Sequence, residues 1–145
     1  PQNAERRTQN ASRNARVEGP SHTRYVLPMR NPRSLEIWID SMDMAEQVYR
    51  ATSSFPASER HGLRAQMTRS AVSVPSNIAE GCSRDSKRDF HRFLSIAAGS
   101  LEELETQALL AVRLGLIREG DRVIDAIAQT KAKLIRFRQR VASDL

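Results

Sequence analysis

With 145 residues the chain has room for one folded domain with a sizeable core and none for two. Its 23 Lys and Arg outnumber 17 Asp and Glu, but residues 1–33 hold seven Arg and two Glu while the other 112 residues hold 16 basic and 15 acidic groups, so the high pI says little about the folded part. The single cysteine, Cys82, excludes an intrachain disulfide and suits a cytoplasmic setting, no apolar run approaches the roughly 18 residues of a membrane helix, and the basic N-terminus lacks the apolar stretch of a secretory signal.

Residues 1–33 combine Asn, Arg, Ser and Pro with little apolar content beyond Tyr25-Val26-Leu27. So little burial does not offset chain entropy, and a disordered basic tail is expected there, leaving 34–145 as the folded domain. A reading frame over-extended upstream of Met29 would account for most of it; the alternative is a basic arm that touches nucleic acid. The first is favoured, because an Arg-rich stretch without interleaved aromatics is common and unspecific.

From Ser34 onward the apolar spacing is helical almost throughout. Leu35, Trp38, Met42, Ala45, Tyr49 and Thr52 step by three and four as one bundle seam, with Ser34 as the N-cap and Pro56 as the stop. A second helix is predicted from near Ala57 to Glu80, with Leu63, Met67, Ala71, Val74 and Ile78 inward and Gly81 as a left-handed cap. Pro75 inside it removes a backbone bond, which costs ~3 kcal/mol in an ordinary helix, so a kink or a tolerant interface is expected. Ser86 and Asp89 make a capping-box-like start to a third helix, whose seam of Phe90, Leu94, Ala97, Leu101, Leu104, Ala108 and Ala111 runs until Gly115 ends it. A fourth begins near Glu119 and carries Val123, Ile127, Thr130, Leu134, Phe137 and Val141 on the same step. Four amphipathic helices with short connections make the predicted fold all-α, an antiparallel up-down-up-down four-helix bundle.

Ile37, Ile39, Val72, Phe93, Ile96, Leu110, Val112, Ile124 and Ile135 fall off these seams. Some widen the core stripe, and the rest suit a second face that meets another copy of the chain. Two stretches also carry residues that helix design avoids: Gln66–Gly81 (QMTRSAVSVPSNIAEG) with its proline, and Phe93–Thr106 (FLSIAAGSLEELET) with Gly-Ser. Together with Phe55-Pro56, Glu59-Arg60 and Gly62-Leu63, they resemble the four-helix-bundle family of proteins encoded in intervening sequences of bacterial 23S ribosomal RNA genes, from about Leu35 to the last helix. The resemblance implies a closed homo-oligomeric ring, a pentamer in known members, and a ribosomal RNA gene context. A divergent relative, the accessory protein of diversity-generating retroelements, resembles the same fold and works with a reverse transcriptase, which implies an adaptor role as the alternative.

Within the motifs, Arg69, Ser73 and Asn77 recur one turn apart and Glu80 follows, while Gly99, Ser100 and Glu103 match the family pattern on the third helix. The polar stripe is read as a network joining helices or copies, with a binding surface as the alternative. The small patch Ala97–Ser100 is read as a place where a neighbouring helix comes close. Glu102, Glu103 and Glu105 point to different sides, which argues against a paired-carboxylate site. One Cys with His22, His61 and His91 suggests no nucleophile and base, and no HExxH, CxxC pair, GxGxxG or GxxxxGK[ST] occurs, so no catalytic residue, metal or cofactor is expected. Arg84, Lys87, Arg88 and Arg92 crowd the start of the third helix, and Lys131, Lys133, Arg136, Arg138 and Arg140 load the end of the fourth, where cations also suit the helix dipole. Lys133, Arg136 and Arg140 step by three and four as a positive ridge that a ring would repeat as a phosphate-binding surface. The expected function is a nonenzymatic cytoplasmic scaffold that self-assembles and binds RNA or other nucleic acid, without a membrane partner.

Overall fold

The computed structural model describes residues 30–145, and in it the apolar repeats become four α-helices: α1 (Glu36–Thr52), α2 (Leu63–Cys82), α3 (Lys87–Arg113) and α4 (Arg122–Ser143). Short 3-10 turns at Pro32–Ser34 and Ala57–Glu59 precede α1 and α2, and no strand occurs among the described residues. Each helix packs on two neighbours, α1 on α2 and α4, and α3 on α2 and α4, so the four stand at the corners of a square around one core. Residue numbers run in opposite senses where α2 meets α3 and where α3 meets α4. Ser73 meets Ser100 while an added Cβ at Gly81 would meet Phe90 and Phe93 across α2 and α3, and Lys131 meets Glu102 while Lys87 meets Asp144 across α3 and α4.

Local chemistry explains where the helices start and stop. Ser86 Oγ accepts from the Asp89 amide at 3.0 Å and donates to Asp89 Oδ2 at 2.7 Å, which satisfies an orphan donor at the start of α3. Gly115, at φ +71°, closes α3: its amide donates to Val112 O and the Leu116 amide donates to Ala111 O, the paired bonds of a Schellman turn. Glu59 Oε2 accepts from the Leu63 amide at 2.9 Å, so the 3-10 turn at Ala57–Glu59 caps α2 rather than opening it, and the helix starts later than the periodicity predicts. Asp121 Oδ1 likewise accepts from the Val123 amide and sets the start of α4. Ser34 does not cap α1. Its hydroxyl donates to Asn31 O, Asn31 Oδ1 accepts from the Arg33 amide, and Leu35 holds the cap position without a side-chain bond.

The predicted inward residues of α2 and α3 are all buried, as are those of α4 apart from a half-buried Phe137. In α1 the core face is a different stripe: Ile37, Ser41, Met44, Ala45, Val48 and Thr52 point inward, whereas Trp38 is half-buried and Met42 and Tyr49 are exposed. Both stripes have helical spacing. The true one contains two hydroxyls that look polar in the sequence, but Ser41 Oγ donates to Trp38 O at 2.7 Å and Thr52 Oγ1 to Val48 O at 2.9 Å, so neither leaves an unmet group in the core. Gly81 is not a left-handed cap either. It lies inside α2, buried where an added Cβ would stand 2.8 Å from Phe93 Cβ and 3.0 Å from Phe90 Cδ2, and the close approach of α3 requires its missing side chain. Pro75 is accommodated in α2, which runs unbroken past it.

Residues 1–29, the greater part of the predicted tail, lie outside the described residues. Residues 30–33 belong with the bundle: Arg30 places its guanidinium 4.4 Å from the centre of the Phe90 ring, and Asn31 anchors the turn that leads into α1.

Candidate nucleic-acid interface

The two basic clusters are far apart in sequence and lie toward the same end of the bundle. Lys87, the first residue of α3, donates to the carbonyl of Asp144 just beyond α4, so the start of α3 and the end of α4 share one pole of the bundle. The start of α1 joins them, since Leu35, Glu36 and Ile37 line a single pocket with Lys133, Arg136, Phe137 and Arg140. Phe90 and Phe137 make an edge-to-face pair at 6.0 Å beneath this pole, with Arg30 over one ring and Arg140 near the other.

The clusters are not uniform. Lys133 donates to Asp40 Oδ2 at 2.6 Å and to Glu36 Oε1 at 2.9 Å, clamping α4 to α1, and Lys131 donates to Glu105 Oε2 at 2.6 Å and Glu102 Oε2 at 2.8 Å, clamping α4 to α3. Lys131 and Lys133 thus face opposite flanks of α4, and Arg138, two turns beyond Lys131, follows it toward α3. Arg84 precedes α3 rather than lying on it; it pairs with Glu80 and its guanidinium sits 4.7 Å from the Phe93 ring centre. Arg88, Arg92, Arg136, Arg138 and Arg140 enter no ion pair among the described residues, and all but the half-buried Arg138 are exposed. Positive charge available to an outside phosphate therefore sits mainly on Arg88 and Arg92 from α3 and Arg136 and Arg140 from α4. Arg30 adds to the same pole. Apolar spacing leaves it in the tail, and the Asn31-Pro32 turn is the signal that ties it to the bundle.

The polar stripe divides. Ser73 Oγ and Ser100 Oγ are 2.8 Å apart, and Asn77 Nδ2 donates to Ser73 O at 2.8 Å and to Ser73 Oγ at 3.0 Å, a small network that ties α2 to α3. Arg69, Gly99 and Glu103 lie outside it on the surface. An added Cβ at Gly99 would meet nothing within 4 Å, so no helix of the same chain comes close there, against the close-approach expectation.

Cys82 is buried, and burial raises its thiol pKa above the ordinary 9.0 against the opposing charge of Arg30; this is the reverse of nucleophile activation. Among the described residues, no three His, Cys, Asp or Glu side chains are grouped to hold a metal ion, and no helix is long and apolar enough to cross a membrane.

Residues 33–136, well over half of the chain, match the sequence profile of the 23S rRNA-intervening sequence protein family. The chain belongs to that family. No curated protein matches it. In this 23S rRNA-intervening sequence protein the matched span takes in α1, α2, α3 and most of α4, so the motif residues from Arg69 to Glu103 fall inside it. Arg138 and Arg140 fall just beyond.

Proposed function

We propose that this 23S rRNA-intervening sequence protein is a nonenzymatic, self-assembling cytoplasmic scaffold that binds RNA or other nucleic acid through its phosphate backbone. One observation carries the reading: exposed arginines without ion-pair partners among the described residues lie toward the same end of the bundle, Arg88 and Arg92 on α3 and Arg136 and Arg140 on the flank of α4 that faces α1. Arginine forks suit phosphate oxygens, and such bonds give affinity with little dependence on base sequence. The only aromatic side chain in the polar pocket, Phe137, is half-buried beside Arg140, which offers no platform for stacking unpaired bases. Duplex or folded RNA is the better match.

Replacing Arg88, Arg92, Arg136 and Arg140 with Gln is the direct test. None of the four holds an ion pair among the described residues, so far-UV circular dichroism and thermal unfolding should stay close to the parent. Affinity for structured RNA should fall, and the slope of log K against log salt should flatten by about 0.9 for each duplex phosphate that the variant no longer neutralises. Unchanged affinity and slope would leave these arginines as a helix-end charge only. If the parent keeps a defined multi-chain mass and binds no RNA or DNA, a protein partner such as a reverse transcriptase becomes the better assignment.

A further inference from the structure

Between the start of α1 and the end of α4 lies a pocket of about 280 Å³ with two kinds of wall. Leu35, the buried Ile37 and the half-buried Phe137 make an apolar one, and Glu36, Lys133, Arg136 and Arg140 a charged one. The charges are unevenly matched. Lys133 donates to Glu36 at 2.9 Å and to Asp40 at 2.6 Å, whereas Arg136 and Arg140 are exposed and enter no ion pair among the described residues. Arg140 stands 5.9 Å from the centre of the Phe137 ring, at the limit of a cation–π contact, so its N–H fork stays open to another partner. The two arginines are one turn apart on α4, roughly 6 Å along its axis, and both reach a group seated between them.

We propose that this pocket receives the terminal phosphate of an RNA strand, a phosphomonoester, in preference to the phosphodiesters of its interior. The inference rests on the nucleic-acid binding proposed above and names the group held on this flank of the pole. Charge favours the strand end. Two uncompensated guanidinium groups match the roughly −1.5 to −2 that a phosphomonoester carries near neutral pH, while each internal diester brings a single charge. The monoester also presents three oxygens outside its ester bond, enough for each of two forks to bind through two N–H groups with one oxygen shared.

Size points the same way. A volume of about 280 Å³ lies just under the roughly 300–1,000 Å³ of pockets for drug-sized ligands, which gives room for a phosphate and its ribose but not for a continuing strand. The wall of Leu35, Ile37 and Phe137 suits the C–H face of the sugar. Phe137 is half-buried and gives the base no surface on which to stack, so the end is held whatever its base. Lys133 serves this site indirectly: by occupying Glu36 it removes a carboxylate charge that would repel the entering anion.

The test uses the full chain and one RNA hairpin prepared with either a 5′-phosphate or a 5′-hydroxyl, titrated near neutral pH at a single salt concentration. The phosphate-ended hairpin should bind more tightly, by about tenfold. Arg136→Gln combined with Arg140→Gln should bring that ratio to about one with unchanged circular dichroism. Arg88→Gln combined with Arg92→Gln, on α3 outside the pocket, should weaken both hairpins alike and keep the ratio. Equal binding of the two hairpins by the parent overturns the end site and leaves the backbone reading standing. A ratio that survives in the α4 variant, or disappears in the α3 variant, overturns the pocket as its source. If the parent binds neither hairpin, the end site and the backbone reading fail together. A nucleoside 5′-monophosphate separates an RNA end from a free nucleotide: displacement of the phosphate-ended hairpin only at far higher concentration supports the RNA end, and displacement at the hairpin's own concentration overturns it in favour of the nucleotide.

Discussion

Gly81 and Gly99 both lie inside helices and meet opposite surroundings. At Gly81 the nearest neighbour of an added methyl is Phe93 Cβ, an atom that moves only with its backbone, so Gly81→Ala should destabilise by about 1–3 kcal/mol, read as a lower midpoint in urea. At Gly99 the added methyl enters open space, and Gly99→Ala should raise the stability of the single folded chain by about 0.5–1 kcal/mol through helix propensity alone. A loss of stability at Gly99 in a single-chain background would mean that the α3 surface there is not open. Both glycines stand out in the sequence only as breaks in helix design. Whether a missing side chain admits a neighbour depends on what another helix places opposite, and spacing along one helix carries no such information.

Among the elements, α4 is held by two lysines rather than presenting them. Donation to Glu102 and Glu105 raises the Lys131 pKa above the ordinary 10.5, and donation to Asp40 and Glu36 does the same for Lys133. The folded state therefore favours the charged amine. That contribution is fully present below pH 10.5 and is lost as pH rises through the raised folded values. Both amines are solvent-accessible and their pairs are screened, so the effect is small, but replacing Lys131 and Lys133 with Met should flatten the decline of the urea midpoint above pH 10.5 relative to the parent. An identical decline in both proteins would assign it to other groups. The same pairing takes Lys133 out of the ridge that its spacing with Arg136 and Arg140 implies, because Glu36 and Asp40 come from a helix more than 90 residues away in sequence. α1 makes a related point. Its two apolar stripes have the same period, and only the partners on α2 and α4 select Ile37, Met44 and Val48 for the core.

At the scale of the whole molecule, charge is sorted by topology. The clusters on α3 and α4 are separate in the chain and lie toward one pole because the two helices run past each other in opposite directions. The chain enters α1 at this pole through Arg30. If copies assemble pole beside pole, binding becomes multivalent. The parent should then hold a long structured RNA more tightly than a duplex short enough for one pole. Equal affinity for the two would show that the poles act singly.

Helix number, the inward faces of α2, α3 and α4, and the Ser86 and Gly115 boundaries were determined by the sequence alone, because apolar period, capping hydroxyls and a glycine at positive φ act over a few residues. The motif stretches likewise point to the family that residues 33–136 match. Tertiary structure decided the rest: which stripe of α1 is core, which cations are bound up by carboxylates and which stay open, and that Gly81 is a close approach while Gly99 is a gap. Each of these depends on what a distant segment places opposite, and a pattern within one helix is the same whatever that segment brings.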